Sequence, residues 1–263
     1  MIKNIKLFVN NNEKSIELAE LVKDKLIKSD FIIDDNNFDL GIAIGGDGSF
    51  LRMIKKNKFD SEPYYVGINS GHLGFLQEVK SDEINKLIEE LKTKKYKVSN
   101  IGIQETQVVS NDKEENFYSL NEIVVRDSDL KILKTDVFIN DDFLEEYIGD
   151  GIMIATSTGS TAYNLSYGGS IIPPEFSTLQ ITPMGPINSK VYKSVPNSII
   201  EPEKTKIRLF PENKDILLTI DGDNKYFNEV DHITSSIENK KIKMLRFSHY
   251  NFAQKINEKF LSN

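Results

Sequence analysis

Positions 40 to 49 are Leu40-Gly41-Ile42-Ala43-Ile44-Gly45-Gly46-Asp47-Gly48-Ser49, an apolar run that leads directly into a glycine-rich turn. The apolar run predicts a buried strand, and the apolar positions after the turn predict a helix that begins at or just after Ser49. Because the glycines have no Cβ, the turn can approach a ligand closely. The first amides of the helix favour an anion at the same place. This stretch therefore predicts an α/β domain with a ligand site at the end of a strand.

Asp47 lies at the centre of this turn, and its carboxylate indicates a catalytic or metal-binding role. A carboxylate repels phosphate unless it takes a proton from a hydroxyl or holds Mg²⁺. The turn is not a Walker A loop, because no Gly-Lys-Ser/Thr follows it. The alternative is a tight strand-to-helix connection in which Asp47 is only a turn or capping residue. The motif by itself leaves both interpretations open.

Composition narrows the class of protein. The chain has 263 residues, a net charge of −7 and no cysteine, which excludes disulfides, thiolate metal sites and a cysteine nucleophile. The negative charge argues against a general nucleic-acid partner. No stretch approaches the roughly 18 apolar residues of a membrane helix, so we expect a cytoplasmic protein with no membrane partner. The three histidines show no metal-ligand spacing, and no metal ligand is assigned.

The hydrophobic pattern divides the chain. Strands and helices alternate over residues 1–97, which predicts a parallel sheet with flanking helices. Strands dominate over residues 98–247. The predicted fold class is therefore an α/β N-terminal domain, 1–97, followed by a β-rich C-terminal domain, 98–247. A final helix is expected within 248–263, and its return to the first domain is left open.

Further segments carry polar groups near strand ends. The loop at 69–75 follows the third strand, where α/β sheets bind ligands, but by itself it is more typical of an ordinary connection. Asn121-Glu122 suits a ribose diol, unless one of the two faces solvent and the other an edge. The hydroxyl run at 156–161 precedes a helix that Ser160 or Thr161 is expected to cap. Such a dense run favours a polar ligand, whereas Asp221-Gly222-Asp223 alone indicates a turn.

Taken together, these segments resemble the NAD kinase family, in its compact bacterial form. The GGDG turn is shared with lipid kinases and phosphofructokinases, whereas the Asn-Glu pair and the TGSTAY segment distinguish NAD kinases. The matching segments, in family order, are Gly45–Ser49, Asn69–Phe75, Asn121-Glu122, Asp150-Gly151, Thr158–Tyr163 with Gly168-Gly169, and Asp221-Gly222.

The resemblance implies a fold like that of NAD kinases and diacylglycerol kinases. It also implies transfer of the ATP γ-phosphoryl group to the 2′-hydroxyl of the adenosine ribose of NAD. It adds Mg²⁺ or another divalent ion, and a homotetramer or homodimer. Asp47 would be the catalytic base. The residues implied in nucleotide binding are Gly45, Gly46, Gly48, Ser49, Asn69, Leu73, Gly74, Phe75, Asn121, Glu122, Asp150, Ser157, Thr158, Thr161, Ala162, Tyr163, Ser166 and Asp221.

Three positions depart from the family pattern. Ser49 replaces a frequent Thr, Ser157 replaces a common Pro, and Ile148 stands where many members have Arg or Lys. The last change puts one charge contact to a phosphate in doubt. Two alternatives stay open beside the NAD kinase hypothesis. One is a lipid or sugar kinase that shares only the GGDG turn, and the other is a dinucleotide sensor without activity.

Overall fold

The computed structural model describes residues 2–71, 74–247 and 251–262. The predicted ligand contact of Leu73 lies outside these ranges. Two 3₁₀ turns accompany the helices, at Ser81–Glu83 and Thr158–Thr161. The helices are α1 (Glu13–Ile27), α2 (Asp47–Lys56), α3 (Ile84–Thr93), α4 (Tyr163–Ser166) and α5 (Phe252–Phe260). The strands are β1 (Asn4–Val9), β2 (Ile32–Ile33), β3 (Leu40–Gly45), β4 (Tyr64–Asn69), β5 (Tyr96–Gly102), β6 (Gln104–Ser110), β7 (Lys113–Ser119), β8 (Glu122–Asp127), β9 (Leu133–Ile139), β10 (Asp142–Gly149), β11 (Gly151–Thr156), β12 (Thr178–Met184), β13 (Ile199–Pro202), β14 (Ile207–Pro211), β15 (Ile216–Ile220), β16 (Asp223–Phe227), β17 (Val230–Ser236) and β18 (Lys241–Phe247).

The chain forms two compact units, one of Met1–Ile101 with Lys241–Asn263 and one of Gly102–Lys240. The first unit contains a six-stranded sheet in the order β2-β1-β3-β4-β18-β5. Strands β1, β3, β4 and β18 pair in parallel. Helices α1 and α3 bury Val22, Leu26, Leu87 and Ile88 in the same core as Ile42 of the central strand. The predicted α/β domain is confirmed.

Helix α2 follows β3 and supports the site turn. A Cβ at Gly41 would lie 3.1 Å from the ring of Tyr65 and 3.2 Å from the sulfur of Met53, so glycine lets this helix approach the sheet closely. The helix begins at Asp47, two residues before the predicted start at Ser49. Glycine has a low helix propensity, so the sequence pattern placed the start too late.

The strand β18 corrects the predicted domain boundary. Residues 242–247 were expected in the β-rich domain, but β18 pairs in parallel with β4 in the first sheet. Its hydrophobic pattern indicates a strand and carries no information about the partner strand. The first unit is therefore discontinuous in sequence.

The second unit is a sandwich of two antiparallel sheets. Their strand orders are β10-β9-β14-β17-β6-β7 and β13-β12-β11-β8-β15-β16. Inward side chains from both sheets share one core, including Ile123 and Ile154 from one sheet and Val137 and Leu209 from the other. The two antiparallel sheets and their shared core confirm the predicted β-rich domain.

Several local features refine the predicted pattern. The first two strands of the strand-rich part, β5 and β6, are separated at Ile103. Ser81 is the first residue of a 3₁₀ turn that precedes α3. The helix expected after the hydroxyl run is a 3₁₀ turn followed by the single-turn α4. The cap expected from Ser160 or Thr161 is wrong, because neither element has a side-chain cap. None of the helices in the described ranges is long and apolar enough to cross a membrane.

Candidate active site

In the first unit, the carboxylate of Asp47 binds the backbone of the loop after β4. Its Oδ2 accepts a hydrogen bond from the backbone amide of Phe75, and its Oδ1 accepts one from the amide of Leu76, both at 2.9 Å. Each oxygen keeps a second lone pair for another donor. Asp47 is half-buried, whereas Gly46 and Gly48 beside it are exposed. The carboxylate is thus held in a fixed orientation at an open turn.

Two glycines make this geometry possible. Gly45 has φ +148°, and a Cβ there would collide with the side chain of Ser49. Gly74 lies against Asp47 so closely that a Cβ would overlap its carboxylate. Both positions therefore require glycine, and their contact with a nucleotide stays a prediction.

The first turn of α2 is open at its N-terminus. Gly46 is the N-cap and provides no side-chain hydrogen bond to the helix. The amides of Ser49 and Phe50 bind the carbonyl of Gly46. The amides that precede them have no intrahelical acceptor, as at the start of any helix, and together with the helix dipole they favour an anion.

The predicted residues Asn69 and Ser49 are buried beside this turn. Asn69 pairs in register with Gly45 across β3 and β4. Its Oδ1 accepts the amide of Gly71 at 2.8 Å, which shapes the loop that follows. The Ser49 hydroxyl accepts from the guanidinium of Arg52 at 3.1 Å. The structure therefore brings Gly45, Asp47, Ser49, Asn69 and Gly74 together, and the side chains of Asn69 and Ser49 have partners within the chain.

In the second unit, Asp221 organises the Asn121-Glu122 pair. Its Oδ2 accepts the amide of Leu120 at 2.9 Å, and its Oδ1 accepts those of Asn121 and Glu122 at 2.8 and 3.2 Å. Asp221 is buried and has a φ of +45°. Its carboxylate accepts hydrogen bonds from three backbone amides, and its contact with a ligand stays a prediction. Its role in this geometry is to position the pair.

The hydroxyl run packs against the same pair. Thr156 donates from its hydroxyl to the carbonyl of Leu120 at 2.6 Å and accepts the amide of Gly159 at 3.1 Å. A Cβ at Gly159 would collide with the backbone of Asn121. The Oδ1 of Asn121 is buried and has no hydrogen-bond partner among the described residues. This leaves one acceptor beside the glycine turn for a ligand.

Much of the hydroxyl run is used inside the protein. The hydroxyl of Ser157 donates to the carbonyl of Phe176 and lies 2.9 Å from that of Thr178. The hydroxyl of Ser160 donates to the carbonyl of Ile172 at 3.1 Å and accepts a hydrogen bond from the amide of the same residue at 3.0 Å. The hydroxyl of Ser157 therefore stabilises the turn, and its contact with a ligand stays a prediction. The sequence signal of dense hydroxyls reflected internal hydrogen bonding as much as an open site.

Tyr163 marks an accessible part of the second unit. The guanidinium of Arg126 donates to its hydroxyl at 3.0 Å, and its ring meets Tyr167 edge-on at a centroid distance of 5.2 Å. The hydrogen bond with Tyr163 raises the pKa of Tyr167. Sequence reasoning missed Arg126, although period-two alternation from Glu122 through Val124 places it on the same strand face.

The remaining predicted contacts differ in exposure. Asp150 and Ser166 are exposed, Thr161 and Ala162 are half-buried, and Thr158 is buried. Gly185, with φ +58°, lies against the carboxylate of Asp150. Ile148 is buried as well. Because its side chain is apolar, this position offers no charge to a phosphate.

Two family models match the chain. One, described as the ATP-NAD kinase N-terminal domain, covers residues 6–96, and the other, described as the ATP-NAD kinase C-terminal domain, covers residues 120–245. A protein named NAD kinase from Finegoldia magna is 39% identical over 270 aligned residues, which cover 98% of each chain. A protein named NAD kinase from Streptococcus gordonii is 34% identical, and the match covers 98% of this chain and 96% of that one.

Solved structures have the same fold. A yeast NADH kinase complexed with NADH superposes with a TM-score of 0.83 at 22% identity, covering 100% of this chain and 89% of that one. An NAD kinase from Archaeoglobus fulgidus in complex with ATP gives a TM-score of 0.76 at 20% identity, covering 98% of this chain and 99% of that one. The segments around Asp47 in the first unit and around Asn121-Glu122 in the second unit lie inside the ranges that the two family models match. The chain belongs to the ATP-NAD kinase family.

Proposed function

We propose that this protein transfers the γ-phosphoryl group of ATP to the 2′-hydroxyl of the adenosine ribose of NAD, which gives NADP and ADP. The observation that carries the proposal is the carboxylate of Asp47, which two backbone amides hold at an open glycine turn. Family membership supplies the two substrates.

In this reaction Asp47 is the base. It accepts the proton of the 2′-hydroxyl while a bond forms between that oxygen and the γ-phosphorus, and the bond from phosphorus to the β–γ bridging oxygen breaks. Phosphoryl transfer depends mainly on positioning and charge stabilisation. The amides at the start of α2 suit the second task, because no side chain caps this helix.

The second unit binds the dinucleotide in this proposal. Asn121 offers its buried Oδ1 as an acceptor, and Glu122 follows it on a backbone fixed by Asp221. Tyr163 is exposed and presents a ring for stacking or a hydroxyl for hydrogen bonding. Asp150 presents an exposed carboxylate that suits hydroxyl groups of a sugar.

A divalent ion fits this site as a companion of ATP. The described residues contain no group of three or more His, Cys, Asp or Glu side chains that would hold a metal. Mg²⁺ is commonly bound through one or two carboxylates together with substrate phosphates, and it keeps several waters. We therefore propose that the phosphates of ATP would hold Mg²⁺, which would neutralise their charge, and that the Asp47 carboxylate is the protein group at this turn that would add a ligand.

An end-point assay tests the function. The purified protein is incubated with NAD, ATP and Mg²⁺, and NADP is measured with an NADP-specific dehydrogenase. We expect NADP from the wild type and a loss of about 10²- to 10⁴-fold in kcat for Asp47→Asn, as for removal of a general base. Binding of NAD to this variant, measured by calorimetry, should change little.

Other outcomes point elsewhere. NADP formation at near-normal kcat in Asp47→Asn would show that Asp47 is not the base. Binding of NAD without turnover would favour the sensor hypothesis, and turnover of a lipid or sugar in place of NAD would favour the other kinases. Inorganic polyphosphate in place of ATP tests the identity of the donor.

The assembly and the location stay predictions from the sequence. We propose a homotetramer or homodimer, as the resemblance implies, and a cytoplasmic location, as expected from the lack of a membrane-length apolar stretch in the sequence. Light scattering after size-exclusion chromatography would measure the mass of the assembly, and a monomeric mass would contradict this part of the proposal.

A further inference from the structure

The C-terminal helix α5 contacts the loop that holds Asp47. The side chain of Lys255 is buried, and its ammonium donates to the carbonyl of Phe75 at 3.2 Å and to that of Gln77. The ring of Phe75 also packs on Phe252 and Phe260, with centroid distances of 6.1 and 5.7 Å. The helix therefore grips this short segment through both charge and aromatic contacts.

The segment 75–77 is bonded on both sides. Its carbonyls at Phe75 and Gln77 accept from Lys255, and its amides at Phe75 and Leu76 donate to Asp47. A peptide unit is planar, so fixing its carbonyl also fixes the direction of the amide that follows. The carbonyl of Phe75 and the amide of Leu76 belong to the same peptide unit. Lys255 is thus one peptide plane away from the Asp47 carboxylate.

A buried charge network holds the ammonium in place. Glu78 accepts from the guanidinium of Arg246 at 3.1 Å and from the amide of Phe247 at 3.1 Å, and it lies 3.6 Å from Lys255. Burial lowers the pKa of Lys255 to about 8, although Glu78 and Asp47 favour the charged form. Burial of the charged ammonium costs desolvation free energy, which a methionine of similar length would avoid. A buried lysine is therefore unusual at this position of a surface helix.

We propose that Lys255 is a positioning residue for the phosphoryl transfer, because its ammonium fixes the peptide segment that aims two amides at Asp47. The proposal rests on the proposed function for its effect on turnover. Without the ammonium, the carbonyls of Phe75 and Gln77 lose a donor in a buried place, and the segment rotates or loosens. The Asp47 carboxylate then loses its fixed direction.

Kinetics of matched variants test this role. We expect Lys255→Met to lower kcat about 10- to 100-fold, the usual cost of a small misplacement of a reacting group, with little change in the KM for NAD. Lys255→Arg, which keeps the charge and the donors, should retain more of the activity. The control is Lys259→Met, an exposed lysine on the same helix, which should leave kcat unchanged.

Combination with Asp47→Asn separates positioning from general damage. If Lys255 acts through Asp47, adding Lys255→Met to Asp47→Asn should cost almost nothing further, because residues that act as a unit are not additive. Equal losses in both backgrounds would overturn the proposal. So would a Lys255→Met variant with normal kcat.

Amide hydrogen exchange gives a readout that does not depend on activity. In Lys255→Met we expect faster exchange at the amides of Phe75 and Leu76, with unchanged protection in the central strand β3. Unchanged exchange at these two amides would overturn the positioning role. If Lys255→Met does not fold, Lys255→Gln replaces it in every measurement, because the shorter glutamine side chain withdraws the donor from the Phe75 and Gln77 carbonyls but leaves a polar group in the buried place. An inactive wild type with the expected exchange would refute the proposed function and leave the contact intact.

Discussion

Two aspartates of this chain, Asp47 and Asp221, fix nearby peptide segments by accepting hydrogen bonds from backbone amides. Asp47 accepts two amides from the loop after β4, and Asp221 accepts three from the start of β8. In both places a carboxylate fixes a peptide segment that contains predicted site residues. Charge-assisted bonds of this kind are stronger than neutral ones, so each carboxylate has a structural effect beyond its chemistry.

Gly74 provides a residue-scale test of the Asp47 geometry. A methyl group in Gly74→Ala would overlap the Asp47 carboxylate and push it from its position. We expect kcat to fall about 10- to 100-fold while the Kd for NAD changes little. The control is Gly71→Ala in the same loop, where a Cβ meets nothing within 4 Å. Equal kcat values for the two variants would contradict the role of the carboxylate position.

Asp221 provides a second residue-scale test. Asp221→Asn keeps the shape and tolerates the φ of +45°, but it removes the charge that attracts three amides. We expect a loss of about 1–3 kcal/mol in the free energy of unfolding, and a weaker Kd for NAD. Asp223→Asn, an exposed neighbour in the same turn, is the control. Urea unfolding and calorimetry measure the two effects, and a Kd for NAD that equals that of the control would refute the positioning of Asn121-Glu122.

Elements transmit these local effects. Helix α5 contributes one buried ammonium to the loop around Asp47, and α2 contributes an uncapped N-terminus. The contribution of α2 follows from the Gly45–Ser49 turn, whereas that of α5 carries no sequence motif. The contribution of α5 depends on where this helix packs in the first unit, and hence on the topology of that unit.

The docking of α5 has a pH dependence with a defined sign. The pKa of Lys255 is about 8 in the folded protein against a reference of 10.5. Between these values the unfolded chain holds more protons, so the contribution of Lys255 to the free energy of unfolding rises with pH. The full effect is on the order of 3 kcal/mol, from the difference of the two pKa values. We expect the free energy of unfolding of the wild type, measured with urea at pH 7.5, 8.5 and 9.5, to rise relative to that of Lys255→Met. A constant difference would show that the pKa is not lowered.

At the scale of the whole molecule, the chain order and the units do not coincide. The second unit is continuous, from Gly102 to Lys240, and has its own core. The first unit needs residues from both ends of the chain. Its strand β18 lies between β4 and β5 in the sheet order, so a fragment that lacks it leaves a gap in the sheet.

Two fragments test this arrangement. A fragment of residues 102–240 should unfold cooperatively, because its sandwich core is complete. A fragment of residues 1–101 should lack cooperative unfolding, because β5 loses its neighbour β18. Circular dichroism during thermal unfolding would measure both. A cooperatively folded 1–101 fragment would contradict the requirement for β18.

The sequence by itself determined the family, the two kinds of domain and the Gly45–Ser49 turn. These features depend on local patterns, on glycines where a Cβ has no room, and on alternating apolar positions. Only the tertiary structure decided that β18 joins the first sheet, that Asp221 and Ser157 bond within the protein, and that Lys255 reaches the loop of Asp47. These contacts join residues that are distant in the chain, and local hydrophobic periodicity does not encode which distant partner a strand or a buried charge will meet.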